Sequence, residues 1–590
     1  MLWASLFLLF ALVAPTLGFH RPRLLPGRKP HYRSIRCLNC TRGATVQYPA
    51  SPFFNKRSGK FAVNGAALPL VNFDVGESYA GLLPIGNDLS RKLYFWFFPS
   101  TNPVAQKKKE ILIYLTGGPG CSSIGELLQS NGPLLWQPGI AQPIPNKWSW
   151  RRLTNVVWVD QPVGAGFSQG ARTAANEHDV ANDFLRWWRN FVDMFMLQGY
   201  TVYVTGSSYG GMYAPFISSA MLDQDDKHYF NVSGMAVWDG LYSKIPLVED
   251  IPIASFVEKW KAILPFNDTF REMIRAMDEE CGYSAYLDEF LVFPPLGPQP
   301  STLPGEDPAT GFAKPECALY INVFLATQEL NPCLSAFDVT LRCPVLFDPI
   351  GFAGGTFTLP STFPTPYFNL PEVKSLLHAP PNATWAFCQD PTTIFAGGVD
   401  TSLVSGPGSQ PVLPRVIDAT RNVILGHGSR DFLLLPDATL LTIQNLTWQG
   451  AMGFQRRPEG ALFIPKHDNA NVSTAAGGGV VGSSHSERGL TWFGAAMAGH
   501  LVGMDQPAVV FRMVEVLLGR VEGFESQEGF TVDMGLGPRP VTALGKGTVE
   551  VVEGSGAGRD LDDDGEEEEE EEEEKEKHKG GDKGGEKSRP

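Results

Sequence analysis

Short apolar runs alternate with helix-like patterns through the middle of the chain, and no other feature constrains the fold as strongly. Strand-like runs rich in β-branched residues lie at 111–115, 156–159, 202–204 and 422–425. Between the second and third runs, apolar side chains recur at helical spacing over 179–198. Continuously apolar strands joined through helices are typical of a mostly parallel sheet with helices on both faces. The sequence therefore predicts an α/β fold.

The segment from about residue 243 to 366 departs from this alternation. It holds many prolines, weaker strand patterns and four of the eight cysteines. We interpret it as an insertion, or cap, stapled by disulfides over the sheet. Eight cysteines in one chain are typical of proteins from an oxidising compartment.

Both ends of the chain differ from this body. Residues 1–18 combine a short apolar run with small residues, which is typical of a secretory signal peptide and too short for a membrane span. Residues 19–59 are rich in Arg and Pro and are expected to form a leader or propeptide-like arm. Residues 546–590 carry a dense acidic block, which predicts a disordered tail because like charges repel. The folded body is expected over 60–545.

The net charge of -15 argues against a nucleic-acid partner, and no membrane partner is expected after removal of the signal peptide. Much of that charge belongs to the tail, because residues 559–590 hold 16 acidic and 7 basic side chains. A secreted or vacuolar protein that enters by the secretory pathway is the predicted location. Six glycosylation sequons agree with that route, at Asn39, Asn231, Asn267, Asn382, Asn445 and Asn471.

Two Gly-x-Ser-x-Gly patterns offer a nucleophile, one centred on Ser168 and one on Ser208. A nucleophilic serine of this type sits on a sharp turn between a strand and a helix. The first pattern lacks both flanks. The second follows the run at 202–204 and enters an apolar stretch at 212–217, so the context selects Ser208.

A hydrolase of this type takes its catalytic residues in the chain order Ser, Asp, His. Asp431 follows the last strand-like run, and His500 follows an apolar segment that can hold it at the edge of the core. His467, His485 and His578 are the other histidines that come late enough. The expected roles are attack by Ser208, proton transfer by His500 and orientation of the imidazole by Asp431.

A tetrahedral intermediate needs preorganised backbone donors. The N–H of Tyr209, which follows the nucleophile, and the N–H of Gly118, which follows the first strand, are the candidates. The alternative is that the glycines at 117–120 only form a sharp turn. Neither a metal nor a cofactor is implied.

These motifs together resemble the serine carboxypeptidases, specifically the secreted and vacuolar fungal type. The likeness extends from about Phe73 to Leu518. It includes Gly-Gly-Pro-Gly-Cys-Ser-Ser at 117–123, Asn-Gly-Pro at 131–133, Trp-Ser-Trp at 148–150, the run 160–168, the turn at Ser208, Asp-Phe at 431–432, Ala-Gly-His at 498–500 and Asp-Gln-Pro at 505–507. The resemblance implies an α/β-hydrolase fold with a cap insertion. It also implies a disulfide between Cys121 and Cys388, which leaves the four cap cysteines to pair among themselves, with nesting as one arrangement.

Three positions depart from the family pattern. The family has Asn at the position of Thr116 and Glu at the positions of Ser130 and Ser207. In the family these groups hold the C-terminal carboxylate of the substrate, with the acids protonated. The resemblance therefore assigns Thr116, Gly117 and Ser207 to carboxylate binding in this chain, through hydroxyl groups and backbone.

Three functions follow from this departure. The favoured one is a secreted serine carboxypeptidase that acts on peptides or proteins with a free C-terminus through an acyl-enzyme, without a steep dependence on acid pH. An esterase or acyltransferase with the same three catalytic residues is the first alternative. The second alternative is a catalytically inactive secreted binding protein.

Overall fold

The computed structural model describes residues 48, 50–352, 365–404, 406–467 and 478–532. All of these residues except His467 belong to one unit, built around a sheet of ten strands. The strands are β1 Tyr79–Ile85, β2 Asp88–Phe98, β3 Glu110–Leu115, β4 Asn155–Asp160, β5 Thr201–Ser207, β6 Asn231–Trp238, β7 Val423–Gly428, β8 Gly460–Ile464, β9 Gly479–Glu487 and β10 Leu490–Ala495.

The strand order is β1-β2-β4-β3-β5-β6-β7-β10-β9-β8. The six strands from β4 to β10 in this order pair in parallel, and the pairs at both edges are antiparallel. Every residue of β3 and β4 is buried, as expected for parallel strands covered on both faces. The predicted α/β-hydrolase fold is confirmed.

Helices cover the sheet and fill the connections. They are α1 Pro103–Lys108, α2 Ser123–Glu126, α3 Glu177–Phe195, α4 Gly210–Asp223, α5 Ile245–Val248, α6 Ile253–Lys259, α7 Asp268–Cys281, α8 Tyr283–Phe290, α9 Leu319–Leu330, α10 Pro371–Leu376, α11 Thr401–Val404, α12 Leu413–Thr420, α13 Pro436–Asn445, α14 Val502–Asp505 and α15 Pro507–Leu517. No helix among the described residues is long and apolar enough to cross a membrane.

Helix α3 corresponds to the helical pattern at 179–198, but it begins and ends two or three residues earlier. It begins where the Asn176 side chain accepts a hydrogen bond from the Asp179 N–H. It ends because Met196 adopts a left-handed conformation, with φ +57°. Its buried face includes Phe184 and Phe191, and Phe191 packs against β2.

Two disulfides lie in the predicted cap, and they follow one another along the chain. One joins Cys281 to Cys317, and the other joins Cys333 to Cys343. The four cysteines therefore pair among themselves in series, so the nested arrangement is wrong. A third disulfide joins Cys121 to Cys388.

The end of the expected leader arm packs on the sheet. Phe53 is buried, and its ring meets that of Phe97 edge to face. Residues 50–59 are thus attached to the core, which differs from a loose arm. The signal peptide at 1–18 and the acidic tail at 546–590 lie outside the described residues, and the boundaries of the folded body and the cap stay predictions.

Residues that could carry chemistry follow the carboxyl ends of neighbouring strands. Ser208 comes directly after β5, Asp239 after β6, Asp431 shortly after β7 and His500 shortly after β10. Strands β5, β6, β7 and β10 are consecutive and parallel in the sheet. The four side chains therefore share one edge of the sheet, which is where open α/β sheets bind their ligands.

Candidate active site

Ser208 stands on a sharp turn between β5 and α4. Its φ of +59° is in the left-handed region that non-glycine residues rarely adopt. The flanking glycines are required by close approach, because a Cβ on Gly206 or Gly210 would lie 2.8 or 3.0 Å from the carbonyl oxygen of Leu115. This is the strand-turn-helix geometry that exposes a nucleophilic serine.

The other Gly-x-Ser-x-Gly pattern has a different role. The Ser168 hydroxyl donates to the carbonyl oxygen of Asp160 at 2.5 Å and accepts from the Tyr94 N–H at 2.7 Å. Ser168 is buried, and both functions of its hydroxyl are used by backbone groups. It therefore holds a loop in place.

Asp431 and His500 form a buried hydrogen-bonded pair. Oδ2 of Asp431 lies 2.7 Å from Nδ1 of His500, and both side chains are almost fully buried. The other carboxylate oxygen, Oδ1, accepts the backbone N–H groups of Leu433 and Leu434. Such a pair fixes the imidazole with Nε2 free to act on a substrate, and Nε2 of His500 has no hydrogen-bond partner among the described residues.

Ser208 and His500 make no hydrogen bond with each other in the described structure. Catalytic hydrogen bonds in structures without substrate are often long and tighten only when the substrate is bound. The structure thus brings Asp431 and His500 into direct contact and places Ser208 on the same edge of the sheet.

Two further side chains lie within 4.8 Å of the Asp431 carboxylate. Nε2 of His427 lies 3.2 Å from Oδ2 of Asp431 and 3.6 Å from Oδ1 of Asp239. Burial by itself raises the pKa of Asp431, but the charges and hydrogen bonds of His500 and His427 outweigh it and hold that pKa below its usual range. Burial raises the pKa of Asp239 well above its ordinary value.

The two candidate oxyanion donors lie in adjoining loops. Gly118 has φ +118°, and neither its N–H nor that of Tyr209 donates a hydrogen bond to another described residue. Gly117 packs against the nucleophile turn, because a Cβ there would lie 2.8 Å from the Cβ of Ser208 and collide with the nitrogen of Tyr209. The Cys121–Cys388 disulfide ties this glycine loop to a distant segment of the chain.

A carboxyl group that the sequence analysis did not single out lies beside the nucleophile turn. Glu126 is 4% exposed, and its Oε1 accepts a 2.7 Å hydrogen bond from the Ser207 hydroxyl. Its Oε2 accepts a short hydrogen bond from Tyr114, whose hydroxyl also lies 3.2 Å from Ser207 Oγ. Burial raises the pKa of Glu126, against the lowering effects of these hydroxyls and of His500.

Thr116, which the resemblance assigns to carboxylate binding, and Ser130, a further position that departs from the family, are both buried. Thr116 belongs with Glu126, because its hydroxyl favours the ionised form of that carboxyl, although it makes no full hydrogen bond. The buried Oγ of Ser130 has no hydrogen-bond partner among the described residues, and a Cβ on Gly503 would overlap it. The structure thus brings Ser207 and Thr116 to the Glu126 carboxyl.

Sequence reasoning missed Glu126 and His427. Glu126 is the only charged residue in the run from 122 to 130, which otherwise holds apolar and small polar residues. His427 stands between two glycines, four residues before Asp431. A charge within an apolar run and a histidine at a glycine-flanked strand end are signals that could have pointed to both.

The predicted glycosylation sites differ in their surroundings. Asn267 and Asn382 are exposed, and Asn231 is half-buried at the start of β6. Asn445 is also half-buried, and its Nδ2 donates a 2.8 Å hydrogen bond to Gln410. Asn39 and Asn471 lie outside the described residues.

Comparison with known proteins places the chain among peptidases. The family model described as serine carboxypeptidase, Peptidase S10, matches residues 69–520. A probable serine carboxypeptidase of Arthroderma benhamiae is 44% identical over 480 residues, covering 79% of this chain and 88% of the relative. The serine-type carboxypeptidase F of Aspergillus niger is 40% identical over 483 residues, covering 79% of this chain and 88% of the relative.

A solved structure shares the fold. The crystal structure of Kex1(Δ)p, a prohormone-processing carboxypeptidase from Saccharomyces cerevisiae, superposes with a TM-score of 0.61 at 20% identity. The match covers 78% of this chain and 96% of that chain. The matched family model and the two fungal relatives confirm the predicted class of enzyme, and the chain belongs to the serine carboxypeptidase family.

Proposed function

We propose that this protein hydrolyses the C-terminal peptide bond of peptides or proteins, with Ser208 as nucleophile, His500 as general base and acid, and Asp431 as the residue that orients His500. The buried 2.7 Å contact between Asp431 and His500, at the edge of the sheet that also presents Ser208, is the observation that carries the proposal.

The reaction follows from these positions. Ser208 Oγ attacks the carbonyl carbon while its proton passes to Nε2 of His500, and the imidazolium then protonates the leaving amine. Water, deprotonated by His500, attacks the resulting acyl-enzyme and releases the acid and free Ser208. The oxyanion formed in both steps is stabilised by the N–H groups of Gly118 and Tyr209.

We propose that Glu126 acts with Ser207 and Thr116 in holding the substrate's C-terminal carboxylate. When Glu126 is protonated, its carboxyl O–H can donate a hydrogen bond to Ser207 Oγ. The Ser207 hydroxyl can then donate its own hydrogen bond to the substrate carboxylate. When Glu126 is ionised, it repels the substrate carboxylate and accepts the hydrogen bond of the Ser207 hydroxyl, which is then not available to the substrate. The buried position and raised pKa of Glu126 support the protonated form at acid pH.

Secretion remains part of the proposal. Three disulfides among the described residues support passage through an oxidising compartment. No resident metal or cofactor enters the proposed reaction.

The first experiment measures release of the C-terminal residue from an N-blocked dipeptide by purified wild-type protein and by Ser208→Ala. We expect release by wild type and a loss of about 10⁴-fold or more in the variant. Faster turnover of ester or amide analogues without a free carboxylate would favour the esterase or acyltransferase. Failure of Ser208 to react with a fluorophosphonate would favour the inactive binding protein.

A further inference from the structure

The Asp431 carboxylate is shared by two imidazoles. Oδ2 lies 2.7 Å from Nδ1 of His500 and 3.2 Å from Nε2 of His427. The proposed mechanism uses only His500. His427 is 1% exposed, so its contact with the carboxylate is shielded from solvent.

The hydrogen bonds of His427 determine which of its nitrogens carries a proton. Nε2 lies 2.8 Å from the carbonyl oxygen of Leu434, which can only accept, so Nε2 bears a hydrogen. That N–H is shared between Leu434 and Asp431. Nδ1 lies 2.8 Å from the Thr439 hydroxyl, which can donate to a neutral imidazole or accept from a charged one. Every polar atom of the His427 ring is therefore partnered.

Asp239 completes the group from the neighbouring strand. Its Oδ1 accepts the Gly428 N–H at 2.6 Å and lies 3.6 Å from Nε2 of His427. Carboxylates and imidazoles thus alternate in the order Asp239, His427, Asp431, His500. Burial by itself lowers the pKa of His427, but the charges of Asp239 and Asp431 outweigh it and raise that pKa.

Asp239, His427 and Asp431 offer ligand atoms within 4.8 Å of one another, a spacing that a metal ion could use. The donor chemistry argues otherwise, because Nε2 of His427 carries a hydrogen and Nδ1 is taken by Thr439. Oδ2 of Asp431 is already bound to His500. Hydrogen bonds therefore join His427 to Asp431 and Asp431 to His500, and Asp239 lies beside His427 at 3.6 Å.

We propose that His427 is a positioning residue for the reaction: its Nε2–H, anchored by the Leu434 carbonyl and Thr439, holds the Asp431 carboxylate in the orientation that His500 requires. Asp431 is fixed on one oxygen by two backbone N–H groups and on the other by His427. Loss of His427 leaves the second oxygen held by His500 alone, and the carboxylate can then rotate. A misplacement of this kind lowers the rate of the chemical step and leaves substrate binding unchanged.

The test rests on the proposed function and uses four full-length variants. His427→Leu removes the donor, and His427→Gln restores an N–H near the position of Nε2. His485→Leu is the matched control, because it removes another imidazole of the sheet that pairs with a carboxylate, that of Glu487. Thr439→Val keeps His427 but removes the hydroxyl that is hydrogen-bonded to its Nδ1.

We measure kcat and KM on an N-blocked dipeptide, the rate of fluorophosphonate labelling, and Tm. We expect His427→Leu to lower kcat and the labelling rate by about 10–100-fold, with KM within about twofold of wild type. His427→Gln should return kcat to within about fivefold of wild type, and Thr439→Val should lower kcat by about 3–10-fold. His485→Leu should match wild type.

An unchanged kcat in folded His427→Leu or Thr439→Val would overturn the inference. So would a fall in kcat that follows Tm equally in His427→Leu and His427→Gln, because that outcome describes a structural role. If wild-type protein releases no C-terminal residue, it is the proposed function that fails.

Discussion

The hydroxyl of Ser207 donates a 2.7 Å hydrogen bond to the buried carboxyl of Glu126. Ser207 directly precedes the nucleophile, at a position where the resemblance to the family implies a Glu. In the structure a carboxyl from a different segment of the chain, that of Glu126 in α2, contacts this residue. The proposed substrate clamp is therefore a carboxyl that acts through a hydroxyl.

This contact changes the expected pH dependence. Burial raises the pKa of Glu126, so its neutral form persists above the usual range for Glu. Since only the neutral form favours a bound carboxylate, we expect KM for free-carboxylate substrates to rise as pH increases through that raised pKa. Glu126→Gln, which stays neutral, should have a flatter KM profile over the same range. Steady-state kinetics from pH 4 to 8 check this.

Substrates with an amidated C-terminus provide the control for Glu126. Their KM should be insensitive to the titration in both proteins, because there is no carboxylate to repel. An identical pH profile of KM in wild type and Glu126→Gln would show that Glu126 does not take part in binding the substrate carboxylate.

The glycine loop gives a test of the oxyanion donors. A Cβ on Gly118 would lie 2.7 Å from the nitrogens of Gly120 and Cys121, so Gly118→Ala must displace the loop. We expect kcat to fall by about 10²–10³-fold, the effect of losing one such donor. Gly479→Ala is a matched control, because Gly479 also has positive φ, +107°, but nothing lies within 4 Å of its Cβ position. Equal kcat in the two variants would contradict the role of Gly118.

Buried Glu177 is expected to make the stability of the fold depend on pH, independently of the reaction. It is fully buried at the start of α3, and neither carboxylate oxygen has a hydrogen-bond partner among the described residues. Burial, with the nearby charge of Asp400, raises its pKa well above the ordinary value. When a carboxyl has a higher pKa in the folded than in the unfolded state, the free energy of unfolding of the protein decreases as pH rises above the unfolded-state pKa.

Glu177→Gln should therefore resemble wild type near pH 4 and become more stable than wild type as pH increases, by about 1–3 kcal/mol at neutral pH. Urea unfolding at several pH values measures the difference. Glu459→Gln, at an exposed carboxyl, is the control and should show no such divergence. A constant difference across pH would rule out the buried charge as its cause.

Much of the fold follows from local patterns. The buried strands β3 and β4 are predicted because β-branched and aromatic residues run continuously through them, and α3 because its apolar residues repeat at helical spacing. The bounds of α3 are shifted because Asn176 caps it early and Met196 ends it. Cysteine pairing in the cap depends on three-dimensional proximity, which spacing alone does not determine.

The residues of the candidate site likewise differ in how far the sequence predicts them. Ser208 is recognisable because its turn requires a local motif, whereas Glu126 acquires its importance from a contact with a residue 81 positions away. The contact between His427 and Asp239 likewise joins two strands across 188 positions of the chain and has no local signature.

We propose that the protein removes residues one at a time from a free C-terminus. The most direct measurement is mass spectrometry of the products from one peptide prepared with a free and with an amidated C-terminus, using wild type and Ser208→Ala. We expect a ladder of C-terminally shortened products from the free peptide, much slower cleavage of the amidated peptide, and no ladder with Ser208→Ala. Internal cleavage, equal rates on both peptides, or a ladder that persists in Ser208→Ala would contradict it.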